Sequence, residues 1–173
     1  TDLFPNVEAF QHTTNQSDIF EYHSEPINAK NVPENLKGLR TMFLSFHHFQ
    51  PKNAKMILQN AINSNQPIAV LEIQDRSLPS IVAMLLSPVS VLFTTPFIRP
   101  FRWSRLFFTY LIPIVPFVVL WDGIVSALRT YTVEEMRNLI NSLENNTAFE
   151  WNFNKKKSKT GFVIYTIGIP KKQ

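Results

Sequence analysis

His47, His48 and Glu72 are the residues of this chain best suited to proton chemistry. An imidazole titrates near neutrality, so either histidine can accept a proton from a substrate hydroxyl or amine. A carboxylate nearby can orient a substrate or fix a histidine ring. The plainer readings stand beside these. A strand-end histidine can simply bond to backbone. Glu72 can pair with Arg76 or Arg40, since a buried carboxylate left alone is costly. Adjacent strand residues alternate faces, so both histidines reach one crevice only if the strand has already ended. No metal is expected: the pair offers two ligands, and no histidine-rich helix completes a set.

The surrounding pattern says what must hold these groups. Leu39–Phe49 reads as a buried strand tipped by the histidines, with a helix starting at Pro51. From Pro51 to Ser64, apolar residues recur at Ala54, Ile57, Leu58, Ala61 and Ile62, the spacing of one helix face. Ile68–Ile73 is an apolar run containing Glu72 near its end, as expected of a parallel strand covered on both sides. A strand, helix, strand unit over residues 39 to 73 follows, with the right-handed crossover usual for such units. Its ligand crevice would lie at the carboxyl ends of the strands, where the histidines and Glu72 sit.

On either side the pattern is less regular. Pro5–Phe10 suits a helix start, and Ile19–His23 alternates like a short strand. Pro26–Pro33 is a proline-bracketed loop. Thr132 and Glu135 form a capping box, opening a helix with Val133, Met136, Leu139, Ile140 and Leu143 on one face. Ala148–Phe153 and Phe162–Ile169 read as an antiparallel hairpin, joined by a turn holding Lys155, Lys156, Lys157, Lys159 and Gly161. No internal repeat is visible.

Between these units lies a hydrophobic insertion, residues 77–121. It contains no ionised side chain from Arg76 to Arg99, nor from Arg105 to Asp122. A spanning helix needs about 20 apolar residues. Leu106–Trp121 is shorter and carries Pro113 and Pro116, while Ile81–Ile98 carries Pro88 and Pro96. The knot between them, Arg99–Arg105 with Trp103, is of a kind that favours a lipid headgroup interface. Three readings stay open: a buried lid or extra helical layer, a membrane-surface hairpin, or true spans. Trp121–Asp122–Gly123 is read as a turn, with Asp122 capping a helix from Gly123 to Leu128. Arg129 and Tyr131 follow within reach of the crevice, without an assigned role.

The whole chain, 173 residues, suits a single α/β domain, 1–173, with that insertion inside it. Charged residues are only 17%, and the net charge of +4 comes partly from the lysine run. No basic helix accompanies that run, so no nucleic-acid partner is expected. Cysteine is absent, which excludes disulfides and thiolate metal sites. The N-terminus lacks signal-peptide anatomy, and the expectation is a cytoplasmic protein, membrane-associated if the insertion binds lipid.

Three local strings in this order, the acid Asp2, the loop Asn28–Ala29 and the polar strand tip Ser45–His48, resemble the class I, Rossmann-like, S-adenosylmethionine-dependent methyltransferases. More narrowly, Thr1–Asn6, Arg40–Phe49, and Trp121–Gly123 through Leu128–Tyr131 are similar to a bacterial branch of that family. The resemblance covers essentially the whole chain and implies a mostly parallel sheet with an antiparallel C-terminal hairpin. It places Asp2 at the end of the fold's second strand, Asn28 and Ala29 after the third, and Ser45 at the tip of the fourth. These four would hold the cofactor, S-adenosylmethionine. Asp2 would accept the ribose diol, although an ordinary helix-cap role is equally open to it. The family would favour aspartate where Asn28 stands, so a charge-assisted bond is lost there. The family's first strand and glycine-rich loop would precede Thr1, so the resemblance implies either an N-terminally truncated member or one that has lost the half of the site holding the cofactor's amino-acid tail.

Two functions follow as expectations. One is methyl transfer to a small or lipid-like acceptor, with His47 or His48 as base and Glu72 assisting, and with the preceding segment needed for activity. The other is a non-catalytic, membrane-peripheral binding or scaffold protein that keeps the fold. Neither the acceptor nor the oligomeric state is legible.

Overall fold

The computed structural model describes residues 2–158 and 161–172. Lys159, part of the expected lysine turn, and Thr1 lie outside them. The chain is a mixed α/β structure built on a four-stranded sheet in the order β1-β2-β4-β3. The strands are β1 (Arg40–Phe43), β2 (Ile68–Glu72), β3 (Phe149–Ser158) and β4 (Gly161–Pro170). β1 and β2 pair in parallel, Arg40 opposite Ile68 and Phe43 opposite Leu71. β4 runs antiparallel to both β2 and β3, so it alone is reversed while the other three share a direction. Of the three pairings only one is parallel, so the mostly parallel expectation holds for strand direction and not for neighbouring pairs.

The crossover from β1 to β2 is α2 (Pro51–Asn63), entered through a proline that fits the first turn, where no amide partner is needed. Its buried residues are Ala54, Ile57, Leu58, Ala61 and Ile62, the face expected from their spacing. They meet Ile68 and Val70 of β2 and Met136 and Ile140 of α7 (Val133–Asn141) in one core. Each large aliphatic side chain so buried contributes about 1.5–3 kcal/mol. The capping box opening α7 is present: Thr132 Oγ1 accepts the Glu135 amide at 3.1 Å, and Glu135 Oε2 accepts the Thr132 amide at 2.9 Å.

Three local expectations are corrected. Ile19–His23 forms no strand; Ile19 is 82% exposed, and alternation without a neighbouring strand has no ladder to join. The first helix, α1 (Val7–Thr14), is capped by Asn6, whose side chain accepts the Ala9 amide at 3.0 Å, so Asp2 does not cap it. Lys155, Lys156 and Lys157 lie within β3 and not in a turn, because Asp75 supplies Lys155 with a counter-charge.

The insertion folds as α3 (Leu78–Leu85), α4 (Ser87–Thr94), the short α5 (Trp103–Leu106), a π turn over Phe107–Leu111, and α6 (Ile114–Arg129). α6 runs unbroken through Asp122, so neither a turn at Trp121–Gly123 nor a cap at Asp122 exists. Pro116 sits in its first turn, where proline does not interrupt a helix. Gly123 lets α3 approach, since a Cβ there would lie 2.8 Å from the Met84 sulfur.

Candidate functional site

Beyond β1 the Leu44 amide still donates to the Leu71 carbonyl, at 3.0 Å. Leu44 itself has φ 50°, a left-handed conformation that costs a branched residue about 1 kcal/mol or more. That kink turns the chain into a single 3-10 turn, Phe46–His48, closed by the His48 amide on the Ser45 carbonyl at 3.2 Å. The strand has therefore ended before the histidines, and strand alternation no longer separates them. Their ring centroids are 4.3 Å apart, and both rings line one cavity. Phe46 holds the turn down: it is fully buried, against Phe49 and Tyr131.

His47 and Glu72 are each only 4% exposed and bind each other twice. Glu72 Oε2 lies 2.9 Å from the His47 ring Nδ1, and Glu72 Oε1 accepts the His47 backbone amide at 3.2 Å. A carboxylate can only accept, so this bond places the ring hydrogen on Nδ1 and leaves the lone pair on Nε2. Nε2 has no hydrogen-bond partner among the described residues and is not one of their buried orphaned atoms. His47 is itself among the residues that line the cavity. His48 is exposed. The alternative partners for Glu72 are engaged elsewhere: Arg76 with Glu135 at 2.8 Å, and Arg40 with Asn60 and Ser64, both at 2.8 Å.

The cavity has a volume of about 590 Å³ and is walled by the two histidines, Tyr131, Arg76, Arg129 and Glu135, among others. Tyr131 donates its hydroxyl to the Phe49 carbonyl at 2.7 Å. Burial raises its pKa first and the Glu135 charge adds to that, with Arg76 opposing. Burial pushes the Glu135 carboxyl up, but the Thr132 amide, the Arg76 guanidinium and the Thr132 hydroxyl outweigh it and hold the pKa below its ordinary value. The Arg76–Glu135 pair and Asn138 were not singled out by residue patterns. The one available signal was the capping box itself, which fixes Glu135 at the start of α7.

The remaining candidates form a separate group. Asp2 is exposed, and its Oδ1 accepts the Phe4 amide at 3.1 Å. Its carbonyl accepts the Ile27 amide at 2.7 Å, which ties the N-terminal segment to the loop holding Asn28 and Ala29. Asn28 Oδ1 accepts the Lys30 amide at 3.0 Å, an Asx turn, and Ala29 packs on the core. Neither these three nor Ser45 lines the histidine cavity. Among the described residues, no three His, Asp or Glu side chains gather as a metal site.

No protein-family model, curated protein or solved structure matches the chain.

Proposed function

We propose that this chain carries S-adenosylmethionine-dependent methyl transfer to a small or lipid-like acceptor. The observation that carries the reading is the buried His47–Glu72 pair at the carboxyl ends of the two parallel strands, with His47 opening on the 590 Å³ cavity. Supporting it, β4 is the reversed strand of the sheet, which is what the resemblance to a Rossmann-like methyltransferase implies for the last strand.

Methyl transfer is a displacement at a sulfonium-bound carbon, so the protein chiefly has to align the partners and remove a proton from the acceptor. The cofactor supplies an electrophilic methyl group. His47 would receive the acceptor's hydroxyl or amine proton on the Nε2 lone pair while the acceptor oxygen or nitrogen gives its own lone pair to the methyl carbon and the carbon–sulfur bonding pair leaves with sulfur. Glu72 holds the ring and stabilises the imidazolium. His48 and Arg129, both in the cavity wall, orient the acceptor. The nucleoside side falls to Asp2, Asn28, Ala29 and Ser45. Asp2 and Asn28 suit a ribose diol and an adenine amino group in kind: among the described residues nothing donates to the second carboxylate oxygen of Asp2, and the Asn28 carbonyl oxygen keeps a second lone pair.

The resemblance places a first strand and glycine-rich loop before Thr1. The test is therefore calorimetry on a chain extended N-terminally through that segment, titrated with S-adenosylmethionine and with its demethylated product. Binding of both, weakened by Asp2→Ala, is expected. No binding to the extended chain overturns the reading and leaves the non-catalytic alternative.

A further inference from the structure

The helices of the insertion are turned inside out relative to an ordinary soluble layer. Hydroxyl groups face inward: Thr95 and Thr109 are buried, each donating to a backbone carbonyl one helical turn back at 2.7 Å. Large apolar side chains face outward, with Leu78, Phe93, Phe97, Trp103, Leu111 and Trp121 each more than 70% exposed. Contiguous apolar surface on this scale marks a binding face.

Its charge pattern selects the occupant. Between Ser77 and Trp121 every ionised group is an arginine, and all three are close together in the chain: Arg99 and Arg102 in the loop before α5, and Arg105 in α5 itself. Arg105 braces that loop by donating to the Ile98 and Pro100 carbonyls at 3.0 and 3.2 Å. Arg99 and Arg102 make no ion pair among the described residues. Trp103 lies beside them, edge-on to Phe101 at 5.2 Å. Guanidinium and indole groups flanking an apolar face complement phosphate headgroups above hydrocarbon. A second copy of the chain packed through the same segment would offer these arginines no acidic partner, since residues 77–121 contain neither aspartate nor glutamate.

We infer that this layer docks on an anionic lipid surface, lying in the interface and not crossing it. No single helix among the described residues is long and apolar enough to span a membrane. The longest, α6, has 16 residues, about 24 Å against a hydrocarbon core of roughly 30 Å. Only in pairs do the helices reach that length. Leu78–Leu85 meets Ser87–Phe97 at 40°, and Trp103–Leu111 meets Ile114–Arg129 at 77°. Helices each too short to cross alone, and bent against their partners, suit a layer lying along a surface. α6 also joins the two sites, carrying the exposed Phe117 and Trp121 in its first half and Arg129 of the cavity wall at its end. A lipid-borne acceptor would thus be presented beside His47. That last step rests on the methyl-transfer reading, whereas the docking does not.

The experiment is flotation of the chain with phosphatidylcholine vesicles, alone or doped with phosphatidylglycerol, together with tryptophan quenching by brominated lipid. Flotation with the doped vesicles and quenching at Trp103 and Trp121 are expected. R99Q combined with R102Q should lower partitioning by about tenfold or more, since each basic residue near an anionic surface contributes severalfold. Phe93→Ser with Trp121→Ser should lower it on both vesicle types. All four positions are exposed, and circular dichroism checks that the variants stay folded. Protein that remains in solution with both vesicle types overturns the inference. So does a dimer relieved by Trp121→Ser without lipid, and equal binding to neutral vesicles overturns the headgroup contact. Calorimetry with the methyl donor is a separate readout, so either result can fail alone.

Discussion

Glu72 holds His47 by both ring and backbone, Oε2 at 2.9 Å from Nδ1 and Oε1 at 3.2 Å from the backbone nitrogen. Glu72 ends β2 and His47 sits in the 3-10 turn just beyond β1, so the link crosses between the carboxyl ends of two neighbouring parallel strands. It sets the position of the 3-10 turn as well as the tautomer of the ring. Stability and chemistry therefore meet in one contact.

Removing the carboxylate tests the first role. Glu72→Ala leaves the His47 ring N–H and backbone N–H without their partner in a buried site, at a cost of about 3 kcal/mol. Glu72→Gln keeps one acceptor oxygen and should lose less. Urea unfolding of both variants, with slopes checked for equality, measures the difference. Alanine costing no more than glutamine would show that the pair does not brace the turn.

Asp75 gives a pH signature. Burial raises its carboxyl, but the bonds from Lys155 and Ser77 more than offset this, and its folded pKa lies below the ordinary value. A depressed folded pKa means the unfolded chain binds the proton more readily. The contribution is present above the unfolded pKa, about 4, and lost as pH falls through the folded value. Asp75→Asn should therefore destabilise the protein at neutral pH. Its deficit should shrink on acidification below about pH 4. Unfolding free energies compared between the two proteins across that range provide the check. A deficit independent of pH would mean that packing, and not charge, makes the contact.

Local periodicity made α2, the α7 capping box and the closing hairpin legible, because each is specified by residues a few positions apart. The histidine tip and Glu72 were legible as neighbours because an apolar strand, helix and strand leave little choice of topology. What escaped depends on distant partners. Arg76 and Glu135 are 59 positions apart, and Lys155 and Asp75 are 80 apart. Lys155 also stands 4.2 Å over the Phe162 ring, so a lysine run that resembles a solvated turn is strand instead. The Asp122 cap failed for a local reason: Asp122 before Gly123 has the residue types of a turn and helix cap, yet α6 already begins at Ile114 and runs through both.

Gly168 should resist substitution. It faces Trp151 across the β3–β4 ladder, and a Cβ at this position would enter the indole ring. The ring cannot easily yield, because its Nε1 donates to the Asn146 carbonyl at 3.1 Å and it stacks on Phe149 at 5.6 Å. Gly168→Ala is expected to cost about 1–3 kcal/mol through overpacking. Gly168→Ala made together with Trp151→Phe should cost less than the sum of the two changes made separately. Thermal unfolding of the single and double variants tests this, and strict additivity would rule the clash out.

Glu135 joins helix capping to the cavity rim. One carboxylate oxygen receives the Thr132 amide at 2.9 Å and the other receives Arg76 at 2.8 Å. Thr132→Ala removes the hydroxyl that answers the Glu135 amide and should cost about 1 kcal/mol, the usual loss for a helix cap. The consequence should extend beyond α7. Without the hydroxyl, the Glu135 carboxylate is held only by the backbone amide at position 132 and by Arg76, the latter through an ion pair whose side chains are 40% and 43% exposed and readily screened by salt. Adding Arg76→Gln to Thr132→Ala should therefore cost more than the two changes made singly, and the excess should fade at high ionic strength. A double-mutant cycle at low and high salt decides it: zero coupling at low salt would mean that the cap and the rim pair are independent.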